Sequence, residues 1–557
     1  MRLKSRYFLI PLLLAAVCCQ RVEIDDPEPE QPSERPDTAL VAPEGCNTYG
    51  RVVVNGKGLQ DVVVSDGFVV TTTDTAGVYS FTSDKKHGYV FISIPSGYEV
   101  GSKGVLPQFY RYYLKPAGTA ERFDFKLVEA DQKDYTVLFF GDMHLANRSV
   151  FKDVQQFREF TDDVNGLMDS SLGKTYAITL GDMAWDYFWT ANNYDLTDYL
   201  NEVNDDFGDR LQIFHTMGNH DNDSAYEGDF LAEATYKTVV GPSYYSFNIG
   251  GIHYIVLDDI EYRNYASTGS SRDFYKDIAE PQAEWLQKDL EHVSKSTPLV
   301  ITMHSPLYYD NGNVSLYNGY NGLIKYLAGY KSTFVTGHTH VVYNVDRTTS
   351  GVSVYESNSG AVCGAWWVTA SNSGIHLSGD GAPGGYRIMS VSGDKWSWRF
   401  KGTGRSEEYQ FRSYDRNNIW LRPEDWTPNA TASGKKAFSE AVGSYGSKSS
   451  ANEVLLNVWD YDPSWKIEVT ENGHSLPVKR LSGVKDPLYL VCYEAYEYEH
   501  HYDNTVYYPA DGTSHMFSVT ASSPSSTLEI EVTDREGRVY HETMTRPKSF
   551  SISRYRK

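Results

Sequence analysis

Apolar and polar positions follow three regimes along the chain. From Gly50 to about Val128 they alternate with a period of two in short runs, RVVVNGKGLQDVVVSDGFVVTTTDTAGVYSF, broken by NG, DG and TAG turns. Successive side chains of a strand point to opposite faces, so this text predicts antiparallel β-structure with one buried face. Between Asp134 and about Asp346 the pattern changes to six nearly continuous apolar runs, TVLFF, YAITL, LQIF, IHYIVL, PLVITM and STFVT. Strands that are apolar throughout need cover on both faces. Helices can supply it, because Phe151, Val154, Phe157, Phe160, Val164 and Leu167 recur at helical spacing, as do Trp285, Leu286, Leu290 and Val293. This segment therefore reads as an α/β domain. Beyond His340 the alternation returns in SVYESNSGAVCGAWW, GYRIMSVSGDKWSWRF, EVLLNVWDYDPSWKIEVTENG and TLEIEVTDREGRVY. That predicts a C-terminal all-β domain whose first part is placed to pack on the α/β domain.

The ends of the pattern carry their own signals. MRLKSRYFLIPLLLAAVCCQ joins basic Arg2, Lys4 and Arg6 to an apolar run from Phe8 to Val17 that is too short to span a bilayer, which predicts a signal peptide over residues 1–19. Its Ala-Ala-Val-Cys ending resembles a bacterial lipoprotein signal, and the resemblance implies lipidation at Cys18 or Cys19, with Cys19 preferred. An ordinary secretory signal with incidental cysteines is the alternative. Residues 20–45 hold Pro27, Pro29, Pro32, Pro36 and Pro43 among Glu23, Asp25, Asp26, Glu28, Glu30 and Glu34, which predicts an extended, self-repelling tether. The remaining divisions are a β-sandwich over 46–130, the α/β domain over 131–348 and the C-terminal region over 349–557. The expected location is the bacterial cell envelope, anchored by lipid in the outer membrane and facing the periplasm or the cell surface.

Composition changes this picture in two respects. The formal net charge of −22 repels a nucleic-acid backbone, so no nucleic-acid partner is expected. A small phosphate ester stays compatible, because bound cations dominate the potential inside a site. Beyond the signal only Cys46, Cys363 and Cys492 occur, too few for a disulfide framework and without CxxC spacing.

Candidate chemistry sits at the ends of the apolar runs. GDMH follows Phe140, GDMAWD follows Leu180, GNHD follows Met217, His304 follows Met303 and GHTH follows Thr336. Ligands of an α/β sheet bind at the carboxyl ends of its strands, so these clusters should converge. Taken singly, a GD after a strand is an ordinary turn and a lone His is an ordinary core residue. Asp142 with His144, Asp182, Asn219 with His220, His304, and His338 with His340, all at strand ends, form a set that turns and packing do not call for.

The set resembles the signature of the calcineurin-like metallophosphoesterase superfamily, DxH, GDxxx, GNHD or GNHE, a lone His, and GHxH, over Asp134 to Asp346. The resemblance implies a β-sandwich flanked by helices with two metal ions at one edge. It assigns Asp142, His144, Asp182 and His340 to one ion, and Asp182, Asn219, His304 and His338 to the other, with Asp182 shared. Such O and N ligands suit Mn, Fe or Zn, without deciding between them. Trp185 stands where purple acid phosphatases carry an iron-ligating Tyr, so a tyrosinate-bound iron is not expected. The implied reaction is in-line displacement at phosphorus, with His220 as the acid for the leaving oxygen and Asp221 orienting or polarising its imidazole. Asp186 is read as either a ligand-orienting or a solvated, capping carboxylate. Arg148 and Asn147 are candidates for substrate phosphate. Trp366, Trp367 and Tyr386 are candidates for the cleft wall, with core packing as the plainer reading. Residues 50–128 resemble a carboxypeptidase-regulatory or transthyretin-like sandwich in Gly56, Val64, Asp66, Gly67, Asp74, Gly77 and Tyr79. Two functions are compatible with these residues: a two-metal phosphoric ester hydrolase acting outside the cytoplasm on a small monoester or diester, or a surface-anchored protein using the same fold to bind a glycan or partner. The second predicts damage to the ligand set, and every position is filled.

Overall fold

The alternating residues 46–130 form two larger sheets and a two-stranded ribbon of Ser102–Lys103 with Leu106–Pro107. The computed structural model describes residues 40–556 apart from 171, 265–271, 311–313, 318, 372, 394 and 501–506, and residues 42–557 fall into one compact unit. The expected signal peptide, Cys18, Cys19 and most of the tether lie outside the described residues. In the first sheet Thr48–Val54 buries every second side chain and pairs with Phe125–Glu129 and Val78–Phe81. The second sheet runs Tyr110–Tyr112, Tyr89–Ile92, Val63–Ser65, Val70–Thr72. Side chains of both join one apolar cluster with the α/β domain. Phe247 bridges to Ile94, and Ser246 hydrogen-bonds Ser93. The N-terminal sheets are thus packed onto the α/β domain.

Two central sheets carry the apolar runs. Strands β1 (Asp134–Phe140), β2 (Thr175–Thr179) and β3 (Gln212–Phe214) are parallel neighbours in the first. Strands β4 (Tyr245–Ile249), β5 (Ile252–Val256), β6 (Leu299–Thr302), β7 (Ser332–Thr336), β8 (Val342–Thr349) and β9 (Val352–Ser359) build the second, in the order β4-β5-β6-β7-β9-β8. In it β5, β6, β7 and β9 run parallel. The first sheet is completed by β10 (Gly385–Ser392), antiparallel to β1, and β11 (Lys395–Gly402). Both central sheets therefore continue past residue 348, the division drawn from the sequence. Residues of β2, β5, β6 and β7 are buried on both faces, as their unbroken apolar text requires. Helix α1 (Asp153–Ser170) turns Phe157, Phe160 and Val164 inward. Helix α2 (Leu196–Phe207) starts at a capping box of Asp195 and Asp198. Helix α3 (Glu280–Leu290) has Pro281 in its first turn and buries Trp285, Leu286 and Leu290. No described helix is long and apolar enough to cross a membrane.

The expectation of an all-β C-terminal region is corrected. Two four-stranded sheets form there, around Glu453–Asn457 and Leu528–Thr533, but helical segments lie between them at Ala432–Ala441 and from Pro487 to His500. The reason is local capping. Thr431 accepts from the Gly434 N–H, and Asp486 accepts from the Leu488 and Tyr489 N–H groups with Pro487 at the first helical position. The apolar run LYLVCY that follows is short enough to read as a strand. These helices pack on Ala365, Val368, Ile375 and Leu377, which follow the GHTH turn. A buried fork from Arg387 of β10 to Asp460, at 2.8 and 3.2 Å, ties the C-terminal region to the first central sheet. Cys46, Cys363 and Cys492 are unpaired.

Candidate active site

Parallel strands place their carboxyl ends together, and the chain leaves each of these ends through a tight turn. The turn after β1 carries Asp142 and His144, that after β2 Asp182, that after β3 Asn219 and His220, that after β6 His304, and that after β7 His338 and His340. Asp142, His144, Asp182, His338 and His340 all have φ between +45° and +67°. That backbone costs a non-glycine residue on the order of 1 kcal/mol or more and persists where surrounding structure enforces it. Here the turns brace one another: the His144 N–H donates to the Asp182 carbonyl, the Asp142 N–H to the Gly181 carbonyl and the Gly337 N–H to the His304 carbonyl. Glycine is required at the closest approaches. A Cβ on Gly181, whose φ is +88°, would lie 2.5 Å from His304 Nδ1, and one on Gly218 would lie 2.4 Å from the Asp182 nitrogen.

Two donor sets result, meeting at one oxygen. His144 Nε2 lies 3.0 Å from His340 Nε2 and 3.4 Å from Asp182 Oδ2, and His340 Nε2 lies 3.3 Å from Asp142 Oδ1. In the second set His304 Nε2 lies 3.0 Å from both Asn219 Oδ1 and His338 Nδ1, and 3.2 Å from Asp182 Oδ2. With metal–ligand bonds of about 2.1 Å, neighbouring donors on one cation stand about 3 Å apart, so these separations fit two ions sharing Asp182. The imidazoles are aimed from behind: His304 Nδ1 lies 2.7 Å from the Leu180 carbonyl and His340 Nδ1 3.2 Å from that of Gly364, leaving Nε2 for the site. Asp259 holds the His304 turn by accepting from the His304 and Ser305 N–H groups and from the Tyr320 hydroxyl. Although burial works against it, the surrounding histidines hold the Asp142 and Asp182 carboxyls well below the usual range. Burial pushes His144 down to about 3. Ionised carboxylates and a neutral His144 are metal-binding forms, whereas the Asp182 charge outweighs burial and raises His304 to about 10, so a cation binding there displaces its proton.

His220 sits at the edge of this cluster. Its backbone N–H donates to Asp182 Oδ1 at 2.7 Å, and its Nδ1 lies 2.7 Å from Asp186 Oδ1. Among the described residues its Nε2 has no hydrogen-bond partner. Burial disfavours the imidazolium, but the Asp182 charge and the Asp186 hydrogen bond outweigh it and raise the His220 pKa above its ordinary value. Asp186 is in turn paired with Arg272 at 2.5 Å.

Asp221 is corrected by this geometry. Its carboxylate does not reach the His220 ring. It accepts from the backbone N–H groups of Asp182, Met183 and Gly218 at 2.7, 2.9 and 2.8 Å, so it welds the GDMAWD and GNHD turns together. Burial and the Asp182 charge push it up to about 8. The physical reason is that consecutive residues in the short helical turn Asn219–Asp221 project in different directions, whereas Asp186 stands against the ring from another turn. Arg148 is also corrected as a free phosphate ligand. It is buried, bonded through Nε to Asp153 at 3.0 Å and through a terminal nitrogen to the Trp366 carbonyl at 2.7 Å, and sits over the Trp185 ring. Asn147 is exposed in a left-handed conformation.

The paired tryptophans divide. Trp367 is buried and donates to the Met143 carbonyl, and Tyr386 is buried with its hydroxyl on Asp163, so both belong to the core. Trp366 is half-buried with its ring 4.3 Å from those of His144 and His340 and 4.7 Å from Trp185. It roofs the first donor set. His215 and His253 contact Tyr199, and Asn248 with Asp289, away from the site. Sequence reasoning missed Arg272, Asp259, Tyr320 and Lys276, which lie in turns and hairpins without a motif.

If Asp186 orients His220, Asp186→Asn lowers kcat/KM for an ester with a poor leaving group about tenfold or more. The double variant with His220→Gln is then no slower than His220→Gln alone. Equal, additive losses would show that Asp186 acts elsewhere.

Two central sheets bring seven residues with N and O donors to one edge, in clusters that could hold metal ions. Three family profiles match the chain: calcineurin-like phosphoesterase over residues 135–342, the N terminal of calcineurin-like phosphoesterase over 46–130 and the C terminal of calcineurin-like phosphoesterase over 356–540. The chain belongs to the calcineurin-like phosphoesterase superfamily. Among solved structures it is similar to "Structure of PhoD", at 11% identity over 61% of this chain and 78% of that one, with a TM-score of 0.34. It is also similar to the crystal structure of TT1561 of Thermus thermophilus, at 10% identity over 48% of this chain and 99% of that one, with a TM-score of 0.26. Likeness at these scores says nothing about activity or substrate. No curated protein matches the chain.

Proposed function

We propose that this protein is a two-metal phosphoesterase that hydrolyses a small phosphate ester outside the cytoplasm, held at the membrane by the lipidated cysteine of its signal. The observation that carries this reading is the pair of donor sets joined at Asp182 Oδ2, with His220 beside them. Asp142, His144, Asp182 and His340 would hold one ion, and Asp182, Asn219, His304 and His338 the other. When bound, such ions supply Lewis-acid stabilisation of the phosphoryl oxygens and activation of water. The chain's own groups do the rest. Trp366 and Trp185 cover the first donor set and restrict water. His220, held through Nδ1 by Asp186, presents Nε2 to give a proton to the leaving alkoxide as the P–O bond breaks and the oxygen of water bonds to phosphorus. The net change is ester plus water to alcohol plus phosphate.

The test is hydrolysis by the purified full-length protein. Aryl phosphate monoesters and diesters are offered after chelation and after readdition of Mn²⁺, Zn²⁺ or Fe²⁺, with bound metal measured in parallel. The expected result is about two ions per chain, loss of turnover with chelator and its return with one of the metals. A protein that binds the ions and turns over neither ester under any of them would refute the enzymatic reading.

A further inference from the structure

His338 belongs both to the second donor set and to the wall of a cleft of about 380 Å³. Further lining comes from Lys276 and Tyr309 of the α/β domain and from the C-terminal segment Asp511–His515. The C-terminal region therefore forms part of the space that opens from the donor cluster. Its volume suits a ligand of sugar-phosphate size.

The charges of this cleft are uneven. Lys276 is the one Lys or Arg among its described lining residues. Its side chain is half-buried, lies 4.9 Å from the Tyr317 ring centre, and has no carboxylate within ion-pair distance among the described residues. The nearby Asp259 is engaged by the His304 turn instead. A partly desolvated ammonium group without a counter-ion, beside a candidate metal ligand, is a place for an anionic oxygen. The rest of the wall is rich in acceptors. Among the described residues the Asp511 carboxylate and the Ser514 hydroxyl have no hydrogen-bond partner, while the exposed Tyr309 ring offers an apolar face. Asp310 lies 3.7 Å from Arg480 and Asp380 3.1 Å from His515, which leaves the Asp511 carboxylate to attract hydroxyl donors and to repel further phosphates or a nucleic-acid chain.

Resting on the phosphoesterase reading, we infer that Lys276 binds a phosphate oxygen of the substrate and that the cleft holds its alcohol part, a polyhydroxylated, sugar-like group whose hydroxyls pair with Asp511. The C-terminal region is then a specificity element.

The experiment compares 4-nitrophenyl phosphate with glucose 1-phosphate for wild type, Lys276→Gln, Lys276→Arg and Asp511→Ala, all metal-loaded. Lys276→Gln is expected to raise KM at least about tenfold on both esters, with Lys276→Arg recovering most of it. Asp511→Ala is expected to lower the ratio of kcat/KM for the sugar phosphate over the aryl phosphate at least about fivefold. An active wild type with an unchanged KM in Lys276→Gln, or an unchanged ratio in a folded Asp511→Ala, overturns the inference while leaving the phosphoesterase reading standing. A metal-loaded wild type inactive on both esters overturns the reading itself.

Discussion

Asp182→Asn is expected to lower kcat/KM at least about 10³-fold, a loss near 4 kcal/mol of transition-state stabilisation, and to leave less than two ions per chain. One oxygen of this carboxylate faces His144 in one donor set and His304 in the other, at 3.4 and 3.2 Å. Its other oxygen takes the His220 N–H. Asn keeps the size and an acceptor for that N–H but loses the negative charge that the proposed two-metal site would require between its cations. At neutral pH the metal-free variant should be less heat-stable than metal-free wild type, because the surrounding histidines hold the Asp182 carboxyl well below its usual range and Asn forfeits that favoured charge, a loss only partly offset by relief at the neighbouring Asp221. Metal analysis, thermal unfolding and kinetics on one preparation check this. Full metal content with activity within tenfold of wild type would remove Asp182 from the bridging position.

His220→Gln produces the second large effect, and its size depends on the substrate. A proton given to the leaving oxygen matters most when that oxygen is strongly basic. The loss in kcat/KM should therefore be small for a nitrophenyl ester and about 10² to 10⁴-fold for an alkyl ester. A series of esters graded by leaving-group basicity gives the slope directly. A loss of the same size across the series would mean that the His220 imidazole is not the acid, since Gln keeps the backbone N–H on Asp182. Because Asp186 lies on Nδ1, the Asp186→Asn variant should follow the same trend with a smaller amplitude.

The corrections share one cause. GNHD suggests that neighbours in the chain act as neighbours in space, yet Asp221 turns to three backbone N–H groups while Asp186, thirty-four residues earlier, takes the imidazole. Arg148 follows GDMH closely enough to suggest a phosphate ligand, but Asp153 and the Trp366 carbonyl, the latter 218 residues away, engage it first. The helical segment from Pro487 read as part of a β region because a short apolar run has no distinctive period, and its cap residue decides the conformation.

From the residues alone came the strand and helix periods of the α/β domain and the donor set at its strand ends. Both are written locally: burial on both faces shows as unbroken apolar text, and a tight turn after a parallel strand shows as Gly with Asp, Asn or His. Tertiary structure alone decided which side chains complete the site. The Asp186 contact, the Trp366 roof and the Lys276 cleft each depend on segments brought together by packing, and a contact between distant segments leaves no period in either of them.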